Sequence, residues 1–178
     1  AALAAYGRAE AAEPGRALTA LGTARALAAL DRTDEAIATL ETAISAFAEP
    51  ALMTVLGELY EATGRTADAR DLYGRTAALI DRHGASGEDN SLEAARFHAD
   101  HADPDDAVRF AEVALRNRPT VFAADTLGWS LTRDGRADEA LAYVQRAERL
   151  GTHSVDMEVH AAAAYSAGNS PLLDSALL

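Results

Sequence analysis

The chain has 178 residues, enough for one domain at about 150 residues per domain or for a short array of smaller units. Hydrophobic residues make up 49% and charged residues 25%, with 44 Ala, 16 Arg and no Lys, so there is material for a core in a composition rich in helix formers. A formal charge of −12 argues against nucleic-acid backbones and anionic membranes, and the absence of Cys removes disulfides, thiol catalysis and Cys-ligated zinc or iron–sulfur centres.

The elements read in chain order are all helical, and their small residues recur. Residues 1–14 form a lone helix marked by Ala2, Tyr6, Ala9 and Pro14. Residues 17–49 form a helix pair with Ala24 and Leu27 on the first helix and Ala36, Leu40 and Ala43 on the second. Residues 50–83 form the next pair, with Leu56-Gly57-Glu58-Leu59-Tyr60, a turn at Gly64, then Ala69 and Tyr73; its second helix is predicted from Thr66 to His83. A polar stretch, 84–90, reads as an inserted loop. Residues 91–119 form a degenerate pair with Ala95, Ala102, Ala107, Ala111, Ala114 and Pro119, in which His98 stands where a large apolar residue is expected. Residues 121–152 repeat the second pair at an offset of 71, as Leu127-Gly128-Trp129-Ser130-Leu131, Gly135, Ala140 and Val144. Residues 154–178 begin a last pair with His160 to Tyr165, Gly168 and Leu173. Ala36, Ala69, Ala107 and Ala140 are spaced 33, 38 and 33 apart, a fixed period with one insertion.

The physical reading is independent of any family. Small residues on each helix let two backbones approach, larger ones three or four positions away fill the gaps, and a hairpin with one buried seam needs stacked neighbours to complete its core. Gly64, Gly135 and Gly168 are expected in the left-handed conformation that ends a helix. Asp34-Glu35, Asp68, Asp105-Asp106 and Asp138-Glu139 open second helices at the positive end of the dipole, and Asp103-Pro104 reads as an N-cap followed by Pro at the first helical position.

This period, with Leu-Gly in the first helix, a turn Gly, Ala early in the second helix and Pro at its end, resembles the tetratricopeptide repeat. The resemblance implies an all-α, right-handed superhelix of about 11 antiparallel helices running through one array over 1–178, and its layout looks like that of bacterial, actinobacterial-like members.

Enzymatic chemistry finds no foothold. A chain without Lys cannot carry a GxxxxGK[ST] phosphate loop. His98-Ala99-Asp100-His101 supplies two imidazoles on one face but no convergent third ligand, so no metal or other cofactor is expected. His98 reads as a core His, His101 as a turn residue and His160 as a neutral buried His packing on a second helix. Ser86 in Gly84-Ala85-Ser86-Gly87 lacks the spacing and strand context of a hydrolase nucleophile.

What remains is a surface. The resemblance implies that first helices line a concave face, and the stripes projected onto it are Leu18, Leu21 and Arg25; Thr54, Val55, Glu58 and Glu61; Asp89, Glu93, Arg96 and Asp100; Phe122, Asp125, Thr126, Trp129 and Arg133; and Val155, Glu158, Ala162 and Tyr165. Three Arg face seven acids, so the groove is expected to be acidic and its partner a basic or neutral protein or peptide. Phe122, Trp129 and Arg133 mark one aromatic station, with Trp129 either an interface anchor or a residue packed on the preceding unit. The clamp that some family members use on C-terminal carboxylates depends on Lys, which is absent. A non-enzymatic binding scaffold is therefore expected. Self-assembly through Leu172, Leu173, Leu177 and Leu178 is one alternative, and a ligand sensor with a dry pocket near Leu18 and Leu21 is another. Apolar runs are too short for membrane insertion, and an opening Ala1-Ala2-Leu3 without Met points to a cut or processed chain, which leaves cytoplasm and cell envelope both open.

Overall fold

The structure, a computed structural model, describes residues 1–87, 89–152 and 154–168. Every regular element among the described residues is an α-helix: α1 (Ala2–Ala12), α2 (Ala17–Ala28), α3 (Thr33–Ala46), α4 (Pro50–Ala62), α5 (Thr66–Ala85), α6 (Ser91–His101), α7 (Pro104–Asn117), α8 (Val121–Arg133), α9 (Ala137–Glu148) and α10 (Val155–Ala167). An eleventh helix and the terminal leucines 172, 173, 177 and 178 lie outside the described residues. By its contacts the chain divides into two compact units, Ala1–Arg82 and His83–Leu178. No helix among the described residues is long and apolar enough to cross a membrane.

In the first unit α1 packs on α2, α2 on α3 and α4, and α3 on α4. The small residues sit at the seams: Ala24, Ala36 and Ala69 are fully buried, and Gly57 lies so close to α5 that a Cβ there would meet the Tyr73 ring at 2.3 Å. Leu27, Leu40, Tyr60 and Tyr73 fill the adjoining gaps and are themselves buried. Along α5 the buried residues Ala69, Leu72, Tyr73, Thr76, Leu79 and Ile80 recur at the three- and four-residue spacing that puts a single stripe against the core.

The second unit repeats this arrangement, with α7 against α6 and α8, α9 against α8, and α10 against both α8 and α9. Ala95, Ala107, Ala140 and Ala161 are buried at its seams, and Val144 packs 3.0 Å from where a Cβ on Gly128 would fall. Its core joins Val108, Ala111, Leu127, Leu131, Val144 and Ala164, with Phe110, Leu141 and Tyr143 packed on the edge.

Three hairpin turns share one device. Arg32, Arg65 and Arg136 each donate their backbone N–H to the carbonyl five residues back, at Leu27, Tyr60 and Leu131, and the preceding residue donates to Ala28, Glu61 or Thr132. This pair of hydrogen bonds satisfies the last carbonyls of the helix and needs a left-handed residue between them. Gly64 (φ 79°) and Gly135 (φ 77°) supply it, and Asp31 (φ 58°) does so in the first pair. The same three arginines then reach forward to the first turn of the next helix, to Glu35, Asp68 and Glu139 at 2.7–2.8 Å. These pairs are exposed, so their stabilisation is small.

Two local expectations are corrected. Gly168 is not left-handed: its φ is −83°, and its N–H bonds back to Ala164 in ordinary helical fashion. The helix predicted to stop at His83 continues to Ala85, because Gly84 is accommodated within it and the left-handed residue of this stretch is Gly87 (φ 90°). Asp89 then anchors the start of α6, accepting from the Ser91 hydroxyl at 2.6 Å and pairing with Arg118 at 3.5 Å beyond the end of α7.

Candidate functional site

Within the second unit, α6, α8 and α10 lie side by side and bring the projected stripes of three repeats together. Thr120 starts α8 by accepting from the Ala123 N–H, which fixes the register of the turns that follow. From there Phe122, Asp125, Trp129 and Arg133 fall at three- and four-residue steps, on one side of the helix.

Trp129 is the centre of the arrangement. Its indole Nε1 donates to Asp100 Oδ1 of α6 at 2.8 Å. Its ring stacks on the His160 imidazole of α10, with centroids 4.4 Å apart and planes 14° from parallel. His160 Nδ1 in turn lies 3.1 and 3.2 Å from the two carboxylate oxygens of Asp125, one turn before Trp129 on α8. Asp125 is buried, 5% exposed, so its carboxylate is shielded from water and faces the imidazole. Arg133 bonds through Nε to the Ala99 carbonyl at 2.9 Å and holds its guanidinium 5.6 Å from the indole centroid, within cation–π range. Arg96 donates to the Thr126 hydroxyl at 3.3 Å. One aromatic ring of α8 is thus tied to two neighbouring helices, α6 and α10.

Around this cluster the projected residues differ in what they present. Glu93, Arg96, Arg133 and Glu158 are exposed, and Phe122 leaves 46% of its surface to solvent. Tyr165 is half-buried and donates to Glu148 at 2.6 Å, which ties α10 to α9. Burial first, and then the Glu148 carboxylate, push the Tyr165 phenol up to about 12. In the first unit Arg25, Glu58 and Glu61 are exposed on α2 and α4, and Glu61 accepts from the Tyr73 hydroxyl at 3.1 Å. Burial, followed by Glu61, raises the Tyr73 phenol above its ordinary value.

His160 departs from its sequence expectation. It is half-buried and packs against the first helix α8, through Asp125 and Trp129, not against a second helix. The signal lay in its type, a polar ring at a position where three other repeats have Leu56, Ala94 and Leu127. His98 is buried between the Phe97 and Phe110 rings, while His101 closes α6 instead of standing in the turn and lies beside Phe97. Ser86 bonds to the His83 carbonyl. Leu18 is 74% exposed and Leu21 half-buried. An open cleft of about 380 Å³ lies between α3, α4 and α5 in the first unit and is rimmed by Glu41, Arg65, Asp68, Asp71 and Arg75.

Several solved structures resemble the chain over most of its length. A thermophilic tetratricopeptide repeat protein of Thermus thermophilus is 21% identical with a TM-score of 0.64, the match covering 92% of this chain and 89% of that one. Tetratricopeptide-like repeats of a putative kinesin light chain from Podosopora anserina are 17% identical with a TM-score of 0.59, over 93% and 92%. A tetratricopeptide repeat protein from Parabacteroides merdae is 14% identical with a TM-score of 0.57, over 98% of this chain and 68% of its own. No protein-family model matches the sequence, and no curated protein matches it. At these identities the likeness is one of fold, and the fold is the all-helical repeat superhelix of the tetratricopeptide type.

Proposed function

We propose that this protein is a non-enzymatic scaffold that binds a protein or peptide segment of basic or neutral character. Its repeat units are taken as 17–49, 50–83, 91–119 and 121–152, and its contact face includes the exposed side of α6, α8 and α10. The observation that carries this reading is the Trp129 station. An aromatic ring held by Asp100, His160 and the nearby Arg133 is fixed before any partner arrives, with Phe122 exposed two turns away. A surface ordered in advance loses little conformational entropy on binding, and buried aromatics beside Arg are the residues that most often dominate interface energetics. Glu93, Asp100 and Glu158 outnumber Arg96 and Arg133 there, in a chain of net charge −12, which favours a cationic or neutral segment over an acidic tail. Arg25, Glu58 and Glu61 offer a second, mixed-charge face on the first unit.

The test is affinity capture from extract of the source organism. The intact chain is compared with a Phe122→Ala/Trp129→Ala/Arg133→Ala variant whose helicity is matched by circular dichroism. A protein retained by the first and lost from the second identifies the partner, and its retention should weaken as ionic strength rises. Equal recovery by both chains, or recovery of nothing, removes the proposed face.

A further inference from the structure

Trp129 is fixed by a side chain that belongs to the last described helix. We propose that Asp125 and His160 are positioning residues that set the indole and seat α10 in the same act, so that the Trp129 station exists only while α10 is docked. The inference rests on the binding face proposed above for its biological meaning, but the coupling itself is read without any partner.

Two observations converge. The apolar hold on α10 is slight: Met157, Ala161 and Ala164 are its buried residues, three side chains of which two are alanine, while Val155 and Val159 face solvent at 75% and 56% exposed. Polar contacts therefore carry an unusual share of its docking, among them the His160–Asp125 contact toward α8 and the Tyr165–Glu148 bond toward α9. Deleting the imidazole while α10 stays seated would leave the shielded Asp125 carboxylate without its hydrogen-bonded neighbour, so His160 is costly to replace by an apolar residue. When α10 leaves, the same event uncovers the indole face that His160 had stacked upon. Charged groups that touch the stack include Asp125 on α8 in direct contact with the imidazole, Asp100 of α6 on the indole nitrogen and Arg133 of α8 near the ring. Two states that differ in one docked helix, with a binding residue shared across the contact, form a two-state element that either site can bias. A ligand that rests on the seated indole favours docked α10, and loosening α10 weakens that ligand.

The chain carries one Trp, so its emission reports this site alone. Wild type is compared with His160→Ala, His160→Phe and Asp125→Asn by Trp emission and by hydrogen exchange of the α10 amides, with far-UV circular dichroism as the control for global folding. The expected result is that His160→Ala shifts the emission to the red and speeds α10 exchange by about tenfold or more while α6 and α7 exchange stays as in wild type. His160→Phe should restore emission and protection together and only in part, since it returns a stacking ring without a donor to Asp125. Asp125→Asn should keep the α8–α10 bond and lie between. If α10 exchange in His160→Ala equals wild type, the docking role is overturned; if emission is unmoved, the positioning role is. Failure of the binding face is scored separately, on partner capture by Phe122→Ala, a residue outside the stack.

Discussion

The space beside Gly57 is smaller than a methyl group: a Cβ would come within 2.3 Å of Tyr73 Cε1 and 2.9 Å of Cζ, and both residues are buried. Gly57→Ala is therefore expected to lower stability by about 1–3 kcal/mol, the usual cost of overpacking, in urea unfolding followed by circular dichroism. Gly74 is the control, an exposed residue inside α5 with nothing within 4 Å of its would-be Cβ, where alanine should add about 0.5–1 kcal/mol. Tyr165 sets a prediction in pH. Its phenol is pushed up to about 12, against about 10 for an unfolded tyrosine, so the folded state keeps a proton that the unfolded chain releases. Its contribution is whole below about pH 10 and is lost as pH rises toward 12. Urea midpoints should thus fall over that window, and less so in Tyr165→Phe. Burial, followed by Glu41, raises Tyr60 in the same sense, so part of the slope should survive in that variant. At this scale the sequence was legible where a residue answers to its own repeat: the small positions at 24, 36, 57, 69, 95, 107, 128, 140 and 161 are all buried. It did not join Asp125 to His160, which sit 35 residues apart, with no local pattern to mark them as a pair.

Among the elements, helix starts were easier to read than helix ends. Asp103 accepts from the Asp105 N–H at 2.9 Å with Pro104 behind it, as expected from sequence. Asp103→Ala should cost about 1 kcal/mol in equilibrium unfolding, and Asp103→Asn or Asp103→Ser should recover most of it. A start depends on one side chain reaching the adjacent backbone, which is local chemistry. An end depends on which residue takes a positive φ, and several candidates lie within a few positions. Gly84 and Gly168 carry the same letter as Gly64 and Gly135 but remain right-handed, while Asp31 takes the left-handed place without being glycine. The bonds from Arg32, Arg65 and Arg136 back to Leu27, Tyr60 and Leu131 mark which residue took the left-handed place at these turns.

For the whole molecule, each unit is stabilised by its own seams, and repeat arrays sum local and nearest-neighbour terms in place of one indivisible core. Trp129 reports on the second unit only, whereas far-UV circular dichroism reports on all helices. The two transitions are expected not to coincide in urea, and superposable curves would show instead that the chain unfolds as one cooperative block. Length, alanine content and the recurring small residues were sufficient to determine helices, their pairing in hairpins and the repeat period, because each depends on contacts between stretches close together along the chain. The composition also determined the sign of the surface charge. Tertiary structure alone decided that His160 lies over Trp129, that Asp125 is buried beneath it, and that Asp100 accepts the indole N–H. Those contacts join three first helices through side chains that any exposed helix face tolerates, and only packing turns such tolerated polar residues into a fixed arrangement.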